Sequence, residues 1–218
     1  MVFVLHSNLT YLTVEELSSR KVRDKWRLKT WCTVYAPPYF GGHEVALIPV
    51  TDPSKAVGRV VETTLYDLVK QNISNINIKI YFQIVKIENS RAETIFKGHE
   101  YAREYLRSLV RRGSSRIDGI FDVTTKDGFK IRVYPVSFSR KRLKPSQETA
   151  IRKKMEEVVK EKSKNLNYDQ LAQELVLGKI ASDIYNSAVK IAPLRHVGIR
   201  KSKLIAQPSV VQQLQPPS

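Results

Sequence analysis

Apolar and polar positions alternate with period two along the chain up to about Ser139, and follow the helical period after Pro145. From Leu28 to Ala36, Trp31 and Tyr35 fall on one face and Cys32 and Val34 on the other, which predicts a strand that Pro37-Pro38 ends. Residues 37–57 hold Gly41-Gly42, Pro49 and Pro53 and are expected to form one long loop. A second strand is predicted over 58–64, then a helical turn over Tyr66–Lys70. Ile76, Ile78, Ile80, Phe82 and Ile84 line one face of a long strand, after which Val85 and Ile87 carry the pattern. A one-residue flip of phase predicts a β-bulge. Asn89-Ser90 then turns the chain into a strand at 91–97.

Over 100–112 the pattern becomes helical, with Tyr101, Ala102, Tyr105, Leu106, Leu109 and Val110 on one side and Gly113 placed to end the helix. A hairpin follows: Ile117–Thr125, a turn at Lys126-Asp127-Gly128, then Phe129–Ser139. Three helical stripes come next. Ile151, Met155, Val158 and Val159 form the first, with Ser146 as N-cap. Tyr168, Leu171, Ala172, Leu175 and Val176 form the second, capped by Asn167 and stopped at Gly178. Ile180, Ala181, Ile184, Ala188 and Ile191 form the third, ended by Pro193. A last strand is expected over 194–204. The predicted class is α+β: a bulged, mostly antiparallel sheet or partly closed β-barrel, followed by C-terminal helices and a returning strand. Residues 1–19 read as an N-terminal extension, in which Thr13 and Glu16 match a capping box. Residues 20–206 read as a single domain, with the sheet at 20–144, helices at 146–192 and the final strand at 194–204. The Gln- and Pro-rich stretch 207–218 reads as a disordered tail.

Charge changes the picture more than composition does. The chain has 218 residues, 42% of them hydrophobic, enough for an ordinary core, and a net charge of +16. Four segments (20–29, 103–116, 140–154 and 195–203) hold 22 of the 37 basic residues but only 3 of the 21 acidic ones. The rest of the chain is slightly acidic. Charge gathered in this way suits a polyanion, and nucleic acid is the leading candidate.

Each cluster meets the same test: is a carboxylate at hand? Arg103, Arg107 and Arg111 repeat at i, i+4, i+8 of the predicted helix, about 6 Å apart along its axis. No acid sits four residues away to relieve a repulsion of roughly 0.2–0.5 kcal/mol per pair. Arg112 and Arg116 extend the group. Arg140, Lys141, Arg142 and Lys144 leave a strand just before a helix N-terminus, itself a phosphate-favouring position. Arg152 and Lys153 have Glu156 and Glu157 four residues on, so structural ion pairs are expected there. In the first cluster Lys21, Arg23 and Lys25 suit phosphate contact. Arg27 and Lys29 share a predicted strand face with Trp31 and Tyr35, aromatics that belong either to the core or to stacking on unpaired bases. The last cluster holds Arg195, Arg200, Lys201 and Lys203, of which Arg200, Lys201 and Lys203, near the strand end, are expected to clamp an RNA backbone.

Catalytic constellations are not evident. His6, His43, His99 and His196 lack metal-ligand spacing, and neither a glycine-rich phosphate loop nor a nucleophile elbow occurs. No enzyme activity, metal or cofactor is expected. Cys32 is the one cysteine, which fits a reducing, cytoplasmic compartment. No apolar run is long enough to span a bilayer, and Met1–Leu5 lacks the features of a secretory signal.

Several stretches carry a resemblance: Lys25-Trp26-Arg27-Leu28-Lys29 leading to Trp31 and Ala36-Pro37; Gly58-Arg59-Val60-Val61-Glu62-Thr63-Thr64-Leu65; Phe96-Lys97-Gly98-His99-Glu100; Ser108-Leu109-Val110-Arg111-Arg112. Asp122-Val123-Thr124-Thr125-Lys126-Asp127-Gly128, Ala150-Ile151-Arg152-Lys153-Lys154-Met155, Gly178-Lys179-Ile180-Ala181-Ser182-Asp183-Ile184-Tyr185, Pro193-Leu194-Arg195 and Ile199-Arg200-Lys201-Ser202-Lys203 continue it. In this order, from about Lys21 to Pro208, the chain resembles the small-subunit ribosomal protein eS-one (older name S-three-a-e) family of archaea and eukaryotes. It is closer to the archaeal branch, because the long acidic C-terminal tail of eukaryotic members is absent. Residues 1–19 fall outside the pattern, as a lineage-specific extension or an upstream start codon would place them. The resemblance implies a structural constituent of the 30S subunit on its platform near the mRNA exit, with small-subunit rRNA and neighbouring platform proteins as partners and no small-molecule substrate. A free RNA-binding translation factor and an RNA-processing enzyme are the rival readings.

Overall fold

The computed structural model describes residues 26–70 and 72–208. The expected extension 1–19, the candidate contacts Lys21, Arg23 and Lys25, and residues 209–218 of the expected tail lie outside the described residues.

Strand β1 (Thr30–Tyr35) turns Cys32 and Val34 inward and leaves Trp31 exposed. The stretch 37–57 is not one loop, because it contains β2 (Glu44–Val50), antiparallel to β1 with Trp31 opposite Pro49 and Thr33 opposite Leu47. Strand β2 lies at the end of the strand order. A proline is tolerated at such an edge, since its missing N–H is not needed by a further strand. Strand β3 (Val60–Thr64) runs into helix α1 (Leu65–Val69) through a capping box. There Thr64 Oγ1 accepts from the Asp67 N–H at 3.3 Å, and the Asp67 carboxylate accepts from the Thr64 N–H at 3.2 Å.

Strands β4 (Ile78–Glu88) and β5 (Arg91–Tyr101) form the long hairpin, with Asn89 and Ser90 both at positive φ in its turn. Their register shifts between Ile84 and Lys86, which is the bulge expected at Val85, and again where Tyr81 faces Gly98 while Phe82 faces Phe96. Strand β5 runs past residue 97 because Gly98, His99 and Glu100 pair with a strand a hundred residues further on. The expected helix 100–112 therefore shrinks to α2 (Arg103–Leu109), and Val110 is already extended.

The first arm of the later hairpin is two short strands, β6 (Arg116–Asp118) and β7 (Phe121–Thr124), both paired with β8 (Lys130–Ser139). Helix α3 (Pro145–Asn165) starts one residue before the expected cap, with Lys144 at the N-cap and Pro145 in the first turn. At α4 (Tyr168–Leu177) the expected Asn167 side-chain cap is absent. The Asp127 carboxylate of the hairpin turn accepts from the Tyr168 N–H at 2.8 Å in its place. Gly178, at φ 81°, turns the chain into α5 (Lys179–Ala188). Strand β9 (Leu194–Ala206) then inserts between β5 and β8.

The nine strands form one mixed sheet in the order β2-β1-β5-β9-β8-β6, with β4 on β5, β3 on β4 and β7 on β8. It is α+β and bulged, and it is not closed into a barrel. Among the described residues only β1 and β5 pair in parallel, over three residues. One face of the sheet packs on the helices: Phe82, Phe96, Ile131 and Val133 meet Ile151, Met155, Leu171, Leu175, Ile180 and Ile184. Side chains of this size stabilise a fold by roughly 1.5–3 kcal/mol each when fully buried. The remaining core is small, with Cys32, Val50 and Ala56 in one cluster and Val34, Ile84 and Ala92 in another.

Candidate nucleic-acid interface

Two of the four basic segments are brought together by a pair of serines. Ser139 ends β8, and its buried Oγ accepts from the Ser115 N–H at 2.8 Å while donating to the Lys141 carbonyl. Ser115 returns the contact, its Oγ accepting from the Leu143 N–H at 3.1 Å. The Arg140 N–H donates to the Pro193 carbonyl at 3.1 Å, and the Arg195 guanidinium donates to the Leu109 carbonyl. Loop 110–115, loop 140–144 and the start of β9 are thereby held against one another. Every free backbone group used in this way fixes a loop whose side chains point elsewhere.

Arg111, Arg112, Arg140, Lys141, Arg142 and Lys144 are exposed around this junction. Among the described residues none of the six makes an ion pair with a carboxylate. The N-terminus of the 21-residue helix α3 opens beside Lys144. Its dipole adds to the positive potential, although Pro145 has no N–H and the Gln147 and Glu148 N–H groups donate to the Lys144 carbonyl at 3.0 and 3.2 Å. Arg103 and Arg107 are exposed on α2, but Arg111 lies past the helix end, so the expected row of three is a row of two.

Other sequence-predicted contacts are already engaged. Arg116 pairs with Asp118 at 2.9 Å, and Lys201 with Glu100 at 2.8 Å. Arg195 is spent on the end of α2. Arg200 is the bulged residue of β9, skipped between the Tyr134–Lys201 and Pro135–Ile199 pairs, and its guanidinium lies 5.6 Å from the Tyr134 ring centre. Lys203 is exposed. The sheet face that carries these residues also holds a pair that sequence reasoning missed: Arg132 grips Asp122 with two bonds of 2.6 and 2.7 Å. That contact holds the Asp122 carboxyl below its ordinary range. With Lys79–Glu62 at 2.7 Å, this face is largely self-neutralised.

The ion pairs expected on α3 differ from those formed. Glu156 takes Lys160 at 2.6 Å and Glu157 takes Lys154. Glu156, four residues before Lys160, follows the order that the helix dipole favours, whereas Lys154 precedes Glu157 by three residues, in the reverse order. Arg152 instead donates to the Asp118 carbonyl at 3.0 Å.

At the first cluster, residues 26–28 are a turn before β1, so Arg27 and Lys29 do not share a strand face with Trp31. Trp31 is 62% exposed, which removes it from the core, and Trp26, which sequence reasoning passed over, is 61% exposed. The Lys29 ammonium sits 3.8 Å from the Trp26 ring centre.

His99 is buried where β5 meets β9. Its Nε2 donates to the Ile199 carbonyl at 3.2 Å and its Nδ1 accepts from Ser202 Oγ at 2.7 Å. Loss of hydration on burial outweighs those bonds and lowers its pKa from 6.5 to about 4, so the ring is neutral. Its role is to join β5 to β9. No described helix is long and apolar enough to cross a membrane.

Comparison with known proteins agrees with the resemblance read from the motifs. The family model described as "Ribosomal S3Ae family" matches residues 17–208. "Small ribosomal subunit protein eS1" of Staphylothermus marinus is 48% identical over 188 residues, covering 86% of this chain and 88% of the relative. The protein of the same name from Aeropyrum pernix is 48% identical over 191 residues, covering 86% and 89%. That of Saccharolobus islandicus is 42% identical over 187 residues, again covering 86% and 89%. A family model matching residues 17–208 and relatives of this identity over most of the chain mean that the chain belongs to the Ribosomal S3Ae family.

Proposed function

We propose that the protein is a structural constituent of the small (30S) ribosomal subunit. It binds small-subunit rRNA by neutralising phosphates, on the platform near the mRNA exit, alongside neighbouring platform proteins. Residues 20–206 act as one RNA-binding unit, in the cytoplasm and in the ribosome, and serve both translation and subunit assembly. The observation that carries this reading is the junction at Ser115 and Ser139. It gathers six exposed cations without carboxylate partners beside a helix N-terminus. Like charges held so close repel one another, and a phosphate chain laid across them turns repulsion into attraction. The arrangement follows a backbone rather than reading base edges, so specificity would come from RNA shape.

The relatives are named as small-subunit proteins, which favours a resident component over a free translation factor. Co-sedimentation separates the two. A resident protein stays with 30S particles through high-salt washing at near one copy each, and a factor washes off. The proposal contains no catalytic step. Site-specific cleavage or modification of small-subunit rRNA by the purified protein with a divalent metal would overturn it.

A further inference from the structure

Both tryptophans of the chain lie at one cleft on the edge of the sheet, and both are more than half exposed. The cleft has a volume of about 300 Å³ and is lined by Trp26, Arg27, Lys29, Trp31 and Pro49. Trp31 and Pro49 are cross-strand partners on β1 and β2 and give the cleft apolar lining. Lys29 lies over Trp26, and no carboxylate is among the lining residues. Exposed indoles of this size are disfavoured in water unless something covers them.

We propose that this cleft holds an unpaired nucleobase of single-stranded RNA, stacked on the Trp31 indole, with its flanking phosphates beside Arg27 and Lys29. Charge complementarity chooses the occupant. A protein neighbour would meet an apolar patch flanked by Arg27 and Lys29, whereas a nucleotide offers both an apolar π-face and an anion. In sequence, the segment 20–29 that ends at the cleft holds six basic residues and one acidic residue. The proposal rests on the RNA-binding function above and names a second mode within it, base stacking, which the junction at Ser115 and Ser139 does not supply.

Intrinsic fluorescence tests it, because the two tryptophans are the only ones in the chain. The full chain is titrated with a single-stranded oligoadenylate and with a duplex RNA of the same length. The single strand is expected to quench emission, and Trp31→Ala to weaken its binding about tenfold, while Trp31→Phe retains most of the affinity. The duplex is expected to bind without quenching. Binding of the single strand with unchanged emission and unchanged Trp31→Ala affinity would overturn stacking and leave the RNA-binding function intact. Quenching by RNA-free small-subunit proteins in place of the oligonucleotide would assign the cleft to a protein and overturn the proposal. Absence of any RNA binding, small-subunit rRNA included, would overturn both.

Discussion

Ser139 and Ser137 sit two positions apart on β8, both fully buried, yet only one of their hydroxyls has a partner. Ser139→Ala would leave the Ser115 N–H buried and unpaired, and urea unfolding should register a loss of about 1–3 kcal/mol. Ser137→Ala removes an oxygen that has no hydrogen-bond partner and should be near neutral. Equal effects would mean that the junction is held by something other than this bond. His99 gives a pH dependence. Burial depresses its pKa from 6.5 to about 4, so between these values the unfolded chain binds more protons than the folded one. Its contribution is full above pH 6.5 and is lost as the pH falls toward 4, roughly 3 kcal/mol in all. Denaturation series at pH 7 and pH 5 should show this acid loss in the natural protein and a smaller one in His99→Gln. An unchanged slope would mean that the ring is hydrated. The hairpin turn at 126–128 was legible in sequence, and it sets the register that puts Asp122 opposite Arg132, although the ion pair itself was not read from it. Glu100 beside Lys201 was not legible, because no local pattern reveals which distant strand will lie alongside.

Elements were legible where one period ran long enough to beat its rival. The bulge at Val85 showed as a flip in an eleven-residue strand, and the three C-terminal helices as stripes closed by Gly178 and Pro193. Strand β2 was hidden because an edge strand can keep a proline, and Pro49 reads locally as a loop signal. Helix α2 was overextended because Glu100 and Tyr101 fit a helical wheel as well as a strand, and sheet pairing with β4 and β9 decided the matter. The β5–β9 contact that did so depends on Gly98. Its φ is 154°, and a Cβ there would lie 2.1 Å from the Ser202 carbonyl oxygen. Gly98→Ala should therefore cost about 3 kcal/mol and expose the amides of 98–100 to hydrogen exchange. Normal stability in that variant would show that β5 and β9 can separate without loss.

Across the whole molecule, charge was legible as an excess but not as a pattern. Sequence spacing identified the basic segments, and the fold sorted them. Arg116, Lys201 and Arg195 are taken up by a carboxylate or a carbonyl, while Arg111, Arg112, Arg140, Lys141, Arg142 and Lys144 have no carboxylate partner among the described residues. Nothing local distinguishes a lysine that will find a carboxylate a hundred residues away from one that will not. The family motifs were legible because they span nearly the whole chain in order, which no single patch of charge does.

The salt dependence of rRNA binding tests the central claim most directly. One variant changes Arg111, Arg112, Arg140 and Arg142 to Gln. A second removes the same charge from the paired cations Arg132, Lys154, Lys160 and Lys162. Plotting log K against log salt for small-subunit rRNA, the first variant should lose about three units of slope and much of its affinity, and the second less than about one unit. Equal losses in the two variants would contradict the account, since binding would then follow net charge and not the unpaired cations gathered at the Ser115–Ser139 junction.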